Sequence, residues 1–78
     1  MLITGSVVEL KQNGFSQVES YIADIPGVEI RGVSKDMSRV LLIIETEDSG
    51  TLEKLSEELN KHPAILSLLH HSFYFDDE

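Results

Sequence analysis

Metal chemistry in this chain would have to start from His62, His70 and His71, with the carboxylates of Asp76, Asp77 and Glu78 at its end. His70 and His71 are adjacent in an apolar, strand-like stretch. Neighbouring side chains of a strand point to opposite faces, so the two rings cannot grip one ion in the usual way. Half-buried or surface histidines are the reading their setting favours. Covalent catalysis fares no better. Cysteine is absent, which removes thiolate ligands, disulfides and a cysteine nucleophile together. The serines lie in turns and strands without triad spacing. Arg31 and Arg39 would suit an anion, but no glycine-rich loop follows the first strand to complete such a site. The residues therefore point away from an enzyme, and neither metal nor cofactor is expected.

Charge says more. The chain holds 14 acidic and 6 basic residues, for a formal net charge of −8. Phosphate backbones demand a basic footprint, so nucleic acid is a poor partner. The acids cluster: Glu45, Glu47, Asp48, Glu53, Glu57 and Glu58 share one stretch relieved only by Lys54. Such a surface favours a basic partner, or serves good solubility alone, and composition does not separate the two. No apolar run approaches the ~20 residues of a membrane span, and no basic leader precedes an apolar core. A soluble cytoplasmic protein without membrane insertion is expected.

The elements that carry these residues can be read from periodicity. "LITGSVVEL" (2–10) has strand composition and ends in the turn "KQNG". Phe15, Val18, Ile22 and Ile25 recur at helical spacing, with Asn13 or a Ser16/Glu19 capping box at the start and Pro26-Gly27 at the stop. "VEIRGVS" (28–34) and Arg39 to Glu47 are predicted strands joined by the short turn "KDMS". Asp48 or Ser49 caps a second helix with Leu52, Leu55 and Leu59 on one stripe, ended by His62-Pro63. "AILSLLHHSFYF" (64–75) is the last strand. One domain over 1–75 with a short acidic tail at 76–78 is expected.

Strand–helix–strand–strand–helix–strand, closed by right-handed crossovers, is the α+β ferredoxin-like βαββαβ sandwich. It has a four-stranded antiparallel sheet with two helices on one face. This raises a problem of coverage. Val40 to Ile44 are apolar at every position, as in a strand covered on both faces, yet the helices cover one face only. Alternation sends Val8, Leu10, Val40, Leu42 and Ile44 toward the helices. Ile3, Val7, Glu9, Leu41 and Ile43 then lie on the bare side, with Glu45 and Glu47 at its margin. An apolar strip edged by carboxylates suits a short segment that is apolar in one part and basic in another. Other modules of this fold fit less well. RNA-binding sheets carry aromatics where Leu41 and Ile43 stand, and a copper carrier needs paired cysteines in place of "KQNG". A small dimeric regulatory or ligand-sensing domain, hiding its sheet by self-association, remains the alternative.

"PGVEI" (26–30), "VLLIIETEDSGTL" (40–52) and the acidic end resemble the NapD family, cytoplasmic chaperones for assembly of periplasmic nitrate reductase. The similarity runs through a glutamate-bearing second helix to a last strand entered by "AIL" (64–66), and "ETEDSGTL" is its most specific part. Members tend to end that strand in an aliphatic-Tyr-His pattern where this chain reads "LLHHSFYFDDE", so no role carries over onto His70, His71, Phe73 or Tyr74. The resemblance implies a non-enzymatic chaperone. Its partner would be the twin-arginine (Tat) signal peptide of the nitrate reductase catalytic subunit, held until the molybdenum cofactor is inserted. The peptide-binding residues would be Ile3, Val7, Glu9, Leu41, Ile43, Glu45 and Glu47. A monomer is expected, with a homodimer as the alternative.

Overall fold

A computed structural model of the chain describes residues 1–75. The acidic end at 76–78 lies outside the described residues. The chain forms β1 (Leu2–Leu10), α1 (Phe15–Ala23), β2 (Val28–Val33), β3 (Arg39–Thr46), α2 (Ser49–Asn60) and β4 (Ile65–Phe75). All strand pairs are antiparallel, in the order β2-β3-β1-β4, and both helices pack on one face of the sheet. This is the expected ferredoxin-like arrangement.

Alternation decides the core. Val8 and Leu10 of β1 are buried, as are Val40, Leu42 and Ile44 of β3, and they meet Val18 and Ile22 of α1 and Leu52 and Leu59 of α2. Leu2, Ala64 and Ile65 complete the cluster, and Leu55 packs half-buried at its border. The narrow leucine stripe of α2 suffices because its opposite, charged side stays in water.

Two turns hold the sheet in register. Gly27 adopts φ +84, and a Cβ there would stand 2.7 Å from the Glu45 carbonyl oxygen. The tight approach lets the Glu45 amide donate to the Gly27 carbonyl at 2.7 Å, tying the end of β3 to the turn after α1. Only glycine offers both the left-handed backbone and the space. In the β2–β3 hairpin, the Asp36 carboxylate accepts from the Ser34 hydroxyl at 2.8 Å and the Ser38 hydroxyl at 2.7 Å. Those hydroxyls, with the Ser38 amide, hold its pKa down to about 2, so the turn is built on a carboxylate ionised at any ordinary pH.

The helix starts divide. Asp48 caps α2, its carboxylate accepting from the Thr51 amide at 2.8 Å, and this bond lowers its pKa. At α1 neither expected cap is used. Asn13 turns left-handed at φ 62 to reverse the chain, and Gly14, which has no side chain to offer, becomes the N-cap. Helix then begins at Phe15, which leaves Ser16 inside the first turn, past the N-cap, and Ser16 and Glu19 make no capping box. β3 also stops one residue short of expectation, at Thr46, whose hydroxyl donates to the Asp48 carbonyl at 3.1 Å.

Candidate functional site

The face of the sheet turned away from the helices is uncovered by any other described element. Cross-strand register arranges it in rows. Ser67, Glu9 and Arg39 form one end row; Leu69, Val7, Leu41 and Gly32 the next; then Ser72, Gly5, Ile43 and Glu29; and finally Ile3 and Glu45. Residues directly opposite on one face stand about 4.5–5.5 Å apart at Cβ, so each row is in contact across strands. The result is an apolar band of Ile3, Ile43, Val7, Leu41 and Leu69, with Leu41 39% and Leu69 62% exposed. Leu41 stands on a central strand and Leu69 on the edge strand beside β1, so the exposed apolar surface is contiguous across strands.

Gly5 stands in the middle of the band and is itself buried. A Cβ at this position would lie 2.7 Å from the Ser72 hydroxyl oxygen, so the glycine makes room for the Ser72 side chain of β4. Glycine inside a strand often marks such a close approach.

Six of the seven residues singled out from the sequence lie together on this face: Ile3, Val7, Glu9, Leu41, Ile43 and Glu45. Glu47 stands apart. With β3 ending at Thr46, it lines an open cleft between the Ile25-Pro26 turn and α2, whose volume is about 680 Å³. Glu45 at the end of β3 also borders this cleft, which lies on the helix side of the sheet and shares no residue of the apolar band. The cleft also gathers Leu55, Glu57 and Glu58 around a single cation, Lys54. Glu45, Glu47 and Glu57 make no side-chain hydrogen bond or ion pair with any described residue, and Glu58 has Lys61 at 3.9 Å. Glu9 differs: it accepts from the Ser67 hydroxyl at 3.2 Å and faces Arg39 across the strands.

Periodicity did not reveal β4's share of the face. Register shifts between Gly5 and Ser6 and between Glu9 and Leu10 break its alternation twice. Between the shifts Leu69 falls opposite Val7, while Leu66 is left 61% exposed in the second irregularity. A bulge changes side-chain parity, so "ILSLLHHSFYF" carries no simple pattern.

The histidines serve structure. His70 points to the helix side, and its Nε2 lies 2.8 Å from the Ser56 hydroxyl, which itself donates to the Leu52 carbonyl at 2.8 Å. Ser56 must therefore accept the Nε2 proton, leaving Nδ1 to accept from the buried Ser6 hydroxyl at 2.7 Å. The neutral ring thus bridges β1, β4 and α2. His62 stacks on Tyr21 at 4.6 Å and accepts the Ala64 amide at 3.1 Å. Among the described residues no group of three His, Asp or Glu converges as metal ligands.

Desolvation lowers the His70 pKa below its ordinary 6.5. The unfolded chain then binds the proton more readily than the folded one, so this contribution to stability is whole above about pH 6.5 and is lost as pH falls from there through the lower value of the folded ring. The His70 ring should titrate below 6.5 by NMR, and a His70→Gln variant should lose that part of the acid sensitivity of its urea midpoint. A ring titrating at or above 6.5 would contradict the bridge.

Comparison with known proteins gives two results. A family model described as NapD protein matches residues 1–77. Among solved structures, the chain is similar to the solution structure of the E. coli Tat proofreading chaperone protein NapD. The TM-score is 0.76 at 21% sequence identity, over 97% of this chain and 77% of that one. At that identity the likeness speaks for the fold. No curated protein matches the chain. No helix among the described residues is long and apolar enough to cross a membrane.

Proposed function

Since the chain belongs to the NapD family, we propose that it is a cytoplasmic chaperone for a Tat-exported enzyme. It would hold the twin-arginine signal peptide of the periplasmic nitrate reductase catalytic subunit on its open sheet face. Occupying that peptide delays export until the molybdenum cofactor is in place. The observation that carries this reading is the uncovered band of Ile3, Ile43, Val7, Leu41 and Leu69, bordered at the end of β3 by Glu45, whose carboxylate has no described partner. Such a leader is itself apolar beside a pair of arginines. The match is one of chemistry as well as shape.

Magnitudes assign the roles. Burying ~400 Å² of apolar surface at ~25 cal/mol/Å² contributes on the order of 10 kcal/mol before ordering costs. A free leader is disordered, and folding it on the sheet removes much of that sum. Exposed ion pairs add only ~0–1 kcal/mol each. The band therefore supplies affinity, and the acids steer the leader and orient it. Glu45→Gln should accordingly change affinity by less than about 10-fold, equivalent to ~1.4 kcal/mol, while flattening its dependence on salt. An unchanged salt slope would remove Glu45 from the encounter.

Titration calorimetry with the synthetic leader, at low and moderate salt, tests the whole reading. Saturable 1:1 binding with a negative heat-capacity change is expected, since apolar surface leaves water. A second copy of the chain is the competing occupant, and a net charge of −8 works against that pairing. Light scattering that found a stable dimer, together with no heat of binding at either salt concentration, would transfer the bare face to self-association.

A further inference from the structure

The pairing of β4 with β1 changes register midway. Ser6 lies opposite His70 and Gly5 opposite Ser72, so His71 is an extra residue that no residue of β1 faces. Just before this bulge His70 is fixed by its bonds to Ser6 and Ser56. Just after it the parity of the strand is reversed, which sets Phe73 opposite the buried Thr4 and turns it to the helix side. Neither member of that pair is well served. The Thr4 side chain is wholly buried, and its hydroxyl has no hydrogen-bond partner among the described residues. Phe73 cannot offer one, and an unpaired buried hydroxyl is destabilising. Phe73 itself is 57% exposed and meets the His70 ring edge-on at 5.7 Å.

Drawing His71 into the ladder would repair both defects. Counted on from the fixed pair of Ser6 and His70 without a bulge, His71 falls opposite Gly5, Ser72 opposite Thr4 and Phe73 opposite Ile3. The Ser72 hydroxyl then meets the orphaned Thr4 hydroxyl, a cross-strand pair that hydrogen-bonds readily. Phe73 crosses to the open face beside Ile3, and an aromatic side chain packs well against a β-branched one. Gly5 has no Cβ to obstruct either Ser72 or His71. β4 is an edge strand and the last described element, so the slip asks no other described element to move. Against it stands the loss of the Phe73–His70 contact, with no apolar surface above Phe73 while the open face is empty.

Resting on the peptide-capture reading above, we propose that the end of β4 has two registers and that the leader's apolar segment selects the one without the bulge. Phe73 is then a residue of the binding face, kept on the other side of the sheet until the segment arrives. A ligand shifts such an equilibrium only by touching the two states differently. Phe73 supplies that difference, because the segment can reach its ring in one register and not in the other. Thr4 adds to it from the core, since its hydroxyl is paired only when Phe73 has crossed. The bridge from His70 to Ser6 and Ser56 is common to both registers and serves as the fixed point of the slip.

Cross-strand NMR contacts between backbone protons of the whole, isotopically labelled chain read the register directly. In the free protein Ile3 should contact Tyr74, and Gly5 should contact Ser72. Saturating synthetic leader should replace these with contacts from Ile3 to Phe73 and from Thr4 to Ser72, while Ser6 keeps His70. A leader that binds and leaves the free-protein contacts intact would overturn the inference and leave capture standing. A leader that does not bind would remove the capture reading, and the selection of register with it. Two variants give an independent reading by calorimetry. Phe73→Ala, altered on the helix side of the free protein, should weaken the leader about 10-fold. Thr4→Val keeps the shape of the side chain but removes the orphaned hydroxyl, which favours the bulged register. It should raise the urea midpoint and yet weaken the leader severalfold, although Thr4 never reaches the open face. Unchanged affinity in either variant, with the protein folded, would show that β4 keeps a single register.

Discussion

Leu41→Glu should abolish capture of the leader, weakening it at least ~100-fold, or ~2.8 kcal/mol, while the protein stays folded. Leu41 lies in the row between Val7 and Gly32 on the open face, and 39% of its surface meets water before any partner arrives. Placing a glutamate there removes a buried leucine from the complex, worth about 1.5–3 kcal/mol. It also obliges a carboxylate to lose water against an apolar stretch, at a further cost. Neither penalty applies to the free protein, where the new side chain can remain hydrated. Calorimetry would read the affinity, and circular dichroism with a urea titration would read the fold. Normal binding by a folded Leu41→Glu protein would mean that the leader docks elsewhere.

One residue further on, Leu42→Ala should do the reverse. Leu42 is wholly buried beneath the helices with Ile44, Val8 and Leu59. Its truncation leaves a cavity and costs about 2–5 kcal/mol. Small domains have on the order of 5–15 kcal/mol in total, so the variant is expected to lie close to unfolding at room temperature. The urea midpoint should fall steeply with little change in slope. The fraction that remains folded should still bind the leader with unaltered affinity, because Leu42 does not reach the open face. A loss below about 1 kcal/mol would reverse the assignment of faces in β3.

The contrast between these neighbours shows what was legible without coordinates. Strand alternation has a period of two, and in β1 and β3 no irregularity interrupts it where those strands pair with each other. Ile3, Val7, Leu41 and Ile43 could therefore be assigned to the bare side from the sequence, because Glu45 set the parity of β3. The capping of α2 by Asp48 was equally local: a carboxylate reaches an amide three residues on, whatever the rest of the chain does. Element order followed from turns and periodicity, and with crossover handedness it allowed one sheet order.

What the tertiary structure decided depends on contacts between distant segments. Leu69 joins the open face only because two irregularities in the pairing of β4 with β1 reset its side chains. The cap of α1 passed to Gly14 because Asn13 took a left-handed turn, a conformation asparagine tolerates, and so could not act as the cap itself. His70 acquired its role from Ser6, 64 residues earlier, and Ser56, 14 residues earlier, so no local spacing announced it. The acidic cleft likewise needs the turn after α1 to lie beside α2. Periodicity along one strand or helix is set by local geometry, and the sequence alone determined as much as that geometry reaches. Bulges, buried polar bridges and clefts arise from register and packing between elements, where only the folded chain brings the partners together.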